Sequence, residues 1–193
     1  LIQAWVDPFN KEDKSKAPFT VIPPVSRLEP SQEKILRIIH TKGVSLPDDR
    51  ESVFWLNIKN IPPSASNKAT NSLEIAVKTR IKLFWRPKAL EKIDMRKPWQ
   101  FKVTLTRSGQ DYTVNNPTPY HVIISDASTQ KKGLTAAGFK PLVMPPKTSQ
   151  PLKAKMASAP VLTYINDYGA RMPLIFRCEG NTCKVDEDQS SKG

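Results

Sequence analysis

Asn-Ser-Leu-Glu-Ile-Ala-Val-Lys-Thr-Arg-Ile-Lys-Leu-Phe-Trp-Arg-Pro, residues 71–87, is the stretch that decides the fold. Leu73, Ile75, Val77, Thr79, Ile81 and Leu83 fall on every second position, and Glu74, Lys78, Arg80 and Lys82 fall between them. A period of two sends alternate side chains to opposite faces of a strand. The pattern predicts a long β-strand, Leu73–Trp85, with one apolar and one basic face. It stops at Arg86-Pro87, because proline has no N–H to give a sheet ladder. Strands are usually about 5–6 residues long, so one of this length is expected to run past its own sheet. An apolar edge left open in that way invites another chain to pair with it.

Working outward, the chain has 18 Pro against 7 Gly in 193 residues, with frequent Val, Ile and Thr. That composition predicts short strands joined at proline-shaped corners. Strands are expected at Leu1–Val6, Phe19–Ile22, Lys34–Ile39, Val53–Ile58 and Leu73–Trp85. A second series follows at Phe101–Thr106, Asp111–Asn115, His121–Asp126, Gln150–Lys155, Leu162–Tyr164 and Pro173–Arg177, the last pairing with Lys184–Val185. Strands at this spacing argue for all-β sandwiches. The segment between Pro87 and Pro98 is the natural boundary. The expected organisation is a first domain over 1–87, a linker over 88–97, a second domain over 98–187, and a polar disordered tail over 188–193. Leu1 already sits inside a strand and is not Met, so the first domain is expected to be incomplete, lacking N-terminal strands.

The net charge of +12 suits an acidic partner, but the lysines run from Lys11 to Lys192 without a dense tract. The aromatics show no RNA-recognition pattern, and nucleic acid is not the expected partner. No apolar run is long enough to span a bilayer, so the chain is not expected to be membrane-embedded. Enzyme signatures are absent as well: there is no Gly-x-Ser-x-Gly elbow, no His-Glu-x-x-His and no phosphate-binding glycine loop. Cys178 and Cys183 flank Gly180-Asn181, a hairpin turn signal, and are expected to form a disulfide. A zinc site needs about four ligands, and His40 and His121 lie far from the pair in sequence. No metal or cofactor is expected, and a disulfide suits the periplasm or another oxidising compartment.

Four further signatures occur in order: Leu46-Pro47-Asp48-Asp49-Arg50-Glu51-Ser52-Val53-Phe54-Trp55, Ile81-Lys82-Leu83-Phe84-Trp85-Arg86-Pro87, Asn116-Pro117-Thr118-Pro119-Tyr120 and Tyr164-Ile165-Asn166-Asp167-Tyr168-Gly169. Together they resemble the periplasmic chaperones of the chaperone–usher pathway, which escort pilus subunits in Gram-negative bacteria. The resemblance covers essentially the whole chain. It implies two immunoglobulin-like β-sandwich domains in a boomerang arrangement. It also implies donor-strand complementation, in which the long strand lends alternate apolar side chains to an open groove in a pilus subunit before delivery to an outer-membrane usher. The implied donors are Leu73, Ile75 and Val77, and Lys82 is the implied ligand of the subunit's terminal carboxylate. The family's partner arginine would lie on a strand ahead of Leu1. Glu51, Arg86 and Asp167 match a charge cluster that ties the two domains together, while Asn116, Tyr120 and Tyr168 are expected at corners or in packing. Expected partners are pilus subunits, an adhesin, the usher and, when unliganded, a second copy of the chain at the donor strand. The alternative from the same pathway is a structural pilus subunit or adhesin. The short 61–71 loop favours the branch that assembles rod-like pili.

Overall fold

Apart from two 3₁₀ turns and one short helix, the regular structure is all strand in the computed structural model, which describes residues 1–62 and 75–191. Two units result, one of Leu1–Pro47 with Ser52–Arg86, the other of Asp48–Glu51 with Pro87–Gly193.

The first unit holds β1 (Ile2–Pro8), β2 (Phe19–Ile22), β3 (Val25–Ser26), β4 (Arg37–His40), β5 (Ser52–Asn60) and β6 (Lys78–Trp85). One sheet runs β3-β1-β5-β6, and β2 pairs with β4 in a second. The core between them is small: Ala4, Val21 and Leu56 are buried, with Val6, Leu36, Ile38, Ile58 and Leu83 packed against them. At one end, Phe19 meets Phe54 edge-on at 4.9 Å and His40 stacks on Trp85 at 4.9 Å. Alternation along β5 and β6 accounts for this division. Phe54, Leu56 and Ile58 face inward opposite Leu83, Ile81 and Thr79, and the intervening residues face outward.

The second unit holds β7 (Thr104–Ser108), β8 (Asp111–Asn116), β9 (Val122–Ser128), β10 (Leu142–Met144), β11 (Thr148–Leu152), β12 (Val161–Ile165), β13 (Arg171–Leu174), β14 (Phe176–Glu179) and β15 (Thr182–Val185). Its sheets, β10-β9-β12-β13 and β11-β8-β7-β15-β14, form a sandwich over a large apolar core. Val103, Leu105, Val114, Val122, Ile124, Met144, Leu162 and Leu174 are completely buried there. Short 3₁₀ turns at Lys88–Leu90 and Trp99–Lys102 follow Pro87 and Pro98. The disulfide forms: Cys178 and Cys183 are directly opposed across β14 and β15, and Gly180 at φ +59° makes the turn.

Several expected elements are corrected. β6 starts at Lys78, after residues 75–77, because its partner β5 ends at Asn60 and Pro62 offers no N–H; the expected start at Leu73 lies outside the described residues. The last bond of that ladder is from the Asn60 N–H to the Val77 carbonyl, 2.8 Å. The stretch Pro173–Arg177 is two strands in different sheets, with the chain crossing over at Ile175. The strands Val25–Ser26 and Leu142–Met144 carried too few residues to show a period. The tail is not disordered through 188–191. Glu187–Ser191 is helical, the Asp186 carboxylate accepts the Gln189 N–H at 3.1 Å, and buried Ser190 accepts the Ile175 N–H at 3.0 Å.

The Asn116-Pro117-Thr118-Pro119-Tyr120 corner rests on one buried amide. Asn116 Nδ2 donates to the carbonyls of Tyr120 (2.8 Å) and Pro145 (2.9 Å), and its Oδ1 accepts from the Thr118 N–H and Oγ1 (3.1 and 2.7 Å). Buried polar groups stranded without partners cost about 1–3 kcal/mol each. Asn116→Ala is therefore expected to lower stability in urea by about 3 kcal/mol. A loss below about 1 kcal/mol would show that the corner does not depend on this side chain.

Candidate functional site

The edge of the first unit's larger sheet is the site to which sequence and structure both lead. Among the described residues β6 pairs with β5 alone, so its far side ends the sheet. Pairing is continuous from Lys78 to Trp85 with no bulge. The Asn60–Val77 bond sets the phase of an antiparallel ladder. Val77, Thr79, Ile81 and Leu83 thus turn their backbone groups toward β5, and Lys78, Arg80, Lys82 and Phe84 turn theirs toward the open side.

The expected donor residues divide. Leu73 lies outside the described residues, as does most of the 61–71 loop. Ile75 and Val77 lie ahead of the ladder and are 67% and 58% exposed, too open for core residues of their own unit. Ile81, on the same alternation, is 49% exposed although it lies within β6.

Lys82 stands opposite Trp55 on the outer face, away from Ile81 and Leu83. Its Nζ lies 5.3 Å from the Trp55 ring centroid, the Arg80 guanidinium carbon 4.4 Å from the same ring, and the Lys78 Nζ 4.8 Å from the Trp5 ring. A cation over an indole is attracted by the negative face of the ring. The Trp55 indole is itself fixed, since its Nε1 donates to the Phe9 carbonyl at 3.1 Å and Phe9 stacks on it at 5.1 Å. Between the tryptophans sits Asn57, fully buried, donating to Asp7 Oδ2 at 3.0 Å. Trp5, Trp55 and Asn57 were not anticipated from sequence as part of this site. A signal existed, because Gln3-Ala4-Trp5-Val6-Asp7 and Trp55-Leu56-Asn57-Ile58-Lys59 put each tryptophan on the polar phase of its strand.

Of the matched charged residues, Glu51 belongs to the second unit, not to the first domain as expected. Its buried carboxylate accepts the His121 N–H at 2.7 Å, and its own N–H reaches the Pro119 carbonyl at 2.9 Å. Neighbouring Asp49 is held well below the usual carboxylate range, first by Arg50 and then by Lys147, whose Nζ is 2.9 Å away. Arg86 closes the first unit. Asp167 sits in a turn of the second, where Asn166 Oδ1 accepts the N–H groups of Tyr168 and Ala170. Tyr120 packs on Trp99 at 4.8 Å and donates to the Leu90 carbonyl. Tyr168, in contrast, is exposed in the Asp167 turn, a corner residue and not a packing one. Among the described residues no cluster of His, Cys, Asp and Glu could hold a metal, and no helix is long and apolar enough to cross a membrane.

Two family descriptions match nearly end to end: the PapD N-terminal domain of pili and flagellar-assembly chaperones over residues 1–91, and the PapD C-terminal domain over residues 98–176. The chain belongs to the PapD family of pilus-assembly chaperones. This fimbrial chaperone is 59% identical to the probable fimbrial chaperone YfcS of Escherichia coli K12, across 100% of the chain and 76% of that relative. It is 39% identical to the E. coli chaperone protein PapD, across 98% and 78%. Among solved structures, the Pseudomonas aeruginosa chaperone CupB2 superposes with a TM-score of 0.71 at 30% identity, covering 95% of this chain and 84% of that one. The Salmonella enterica chaperone SafB, solved in complex with the SafA pilin, gives 0.70 at 30% identity over 88% and 78%. SfaE, a periplasmic chaperone, gives 0.67 at 32% identity over 88% and 79%. The family is one of chaperones, not enzymes.

Proposed function

We propose that this chaperone works in the periplasm, holding pilus subunits by lending them the strand that leads into and through β6, and then passing them to an outer-membrane usher. The observation that carries this reading is the sheet edge itself. Among the described residues, a row of backbone N–H and C=O groups at Lys78, Arg80 and Lys82 has no strand beside it, and exposed Ile75 and Val77 precede it on the apolar phase. An extended chain added there gains main-chain hydrogen bonds for affinity and alternate side-chain pockets for register. Leu73, Ile75 and Val77 are the proposed donors. Burying three such side chains is worth roughly 5–8 kcal/mol before ordering costs are subtracted. The SafB–SafA complex supports a pilin as the partner, and the disulfide suits an oxidising compartment.

Lys82 is proposed to bind the subunit's terminal carboxylate. An ammonium held over an indole, on an edge the partner covers, can make a charge-assisted bond as water leaves. Glu51, Arg86 and Asp167 are proposed to orient the two domains, since a guanidinium can engage two carboxylates at once. A structural subunit or adhesin is not the reading retained, because both domain matches are to chaperones.

Periplasmic co-expression with candidate pilins tests the proposal. The native protein should co-purify with at least one subunit, and Lys82→Ala should reduce recovery roughly tenfold to hundredfold, as expected for a lost hydrogen bond to a charged group. Undiminished recovery with Lys82→Ala would remove that residue from the site. Failure to recover any pilin would overturn the function.

A further inference from the structure

β6 carries a second code on its outer face. Lys78, Arg80 and Lys82 are the residues whose backbone groups point to the open edge, so an added strand would place its own residues directly beside them on the same face. Lys59 of β5 adds a fourth cation. In strands β1, β3, β5 and β6 the only carboxylate is Asp7, which already accepts a bond from Asn57. With four cations against that one carboxylate, these strands carry a net positive charge on this face. Its cations are also pre-positioned: Lys78 rests on Trp5, and Arg80 and Lys82 on Trp55. A side chain already held over a ring loses less freedom when a partner arrives.

We propose that the strand this edge accepts is acidic on one face, presenting carboxylate side chains at alternate positions beside Lys78 and Arg80 while its other face is apolar. The proposal rests on the reading that β6 takes on a partner strand, and it adds a charge filter to the apolar one. Lys78 and Arg80 become specificity determinants that distinguish subunits by the sign of their outward residues. The edge itself favours a polypeptide over a nucleic acid. Alternating N–H and C=O groups are both satisfied by another strand, whereas phosphates could satisfy only the donors.

Synthetic peptides of one length, with Val at alternate positions and Glu, Gln or Lys between them, test this by fluorescence anisotropy. The Glu peptide should bind roughly tenfold tighter than the Gln peptide, as expected from two or three cross-strand ion pairs, and the Lys peptide should bind weakest. The Glu advantage should shrink in high salt. In the double variant Lys78→Gln, Arg80→Gln the ratio of Glu-peptide to Gln-peptide affinity should fall close to one. If the Gln peptide binds but Glu gains nothing, or if the double variant keeps the Glu preference, the charge filter is wrong and the edge reading stands. If no peptide binds, or N-methylating the peptide backbone has no effect, the edge reading falls and the charge filter with it. Displacement of the Glu peptide by an oligothymidylate at equal concentration would overturn the proposal in favour of a general polyanion site.

Discussion

Ile75→Asp is expected to abolish subunit capture while leaving the chaperone folded. Ile75 is 67% exposed and lies ahead of the ladder, so its own domain gains little from it. In the proposed complex the same side chain is buried in the subunit's groove. The variant would forfeit about 1.5–3 kcal/mol of apolar burial and would also carry a carboxylate into an apolar pocket, which costs more again. Affinity should fall by at least roughly a hundredfold. Pull-down with a cognate pilin measures the loss, and circular dichroism with a urea midpoint close to native checks the fold. Binding equal to native would place the donor residues elsewhere.

Leu162→Ala should have the largest effect on stability. Leu162 is fully buried on β12, paired with Ala127 of β9 and Leu174 of β13 in the centre of a sheet that faces the other across the core. Strands on both sides hold the backbone in place, so the space left by the lost atoms cannot close. Substitutions of this kind cost about 2–5 kcal/mol, and urea unfolding should show a loss in that range. A loss under about 1 kcal/mol would contradict the packing described for this unit.

How far these features can be read from the sequence differs by residue. The two faces of residues 78–85 were legible because alternation is a local property, and the Cys178–Cys183 hairpin because its turn lies between the cysteines. The start of β6 was not, because it is set by where β5 runs out at Asn60 and by the Pro62 that follows. Asp48–Glu51 joins the second unit through Pro119, His121 and Lys147, contacts that span about seventy to a hundred positions of sequence. The aromatic support beneath the cations also depends on register. Trp5, Trp55 and Arg80 come together only once three strands are paired. The polar tail gave no periodic signal, and its helix is fastened by Ser190 to the backbone of Ile175.

Residue-resolved hydrogen exchange along β6, with and without a bound subunit, tests the central claim most directly. In the free chaperone the N–H groups of Thr79, Ile81 and Leu83 point at β5 and should be protected, while those of Lys78, Arg80 and Lys82 point at the open edge and should exchange quickly. On binding, protection should appear at Lys78, Arg80 and Lys82 and leave the other three unchanged. A subunit that binds tightly without slowing exchange at those three amides would show that no strand is added at this edge.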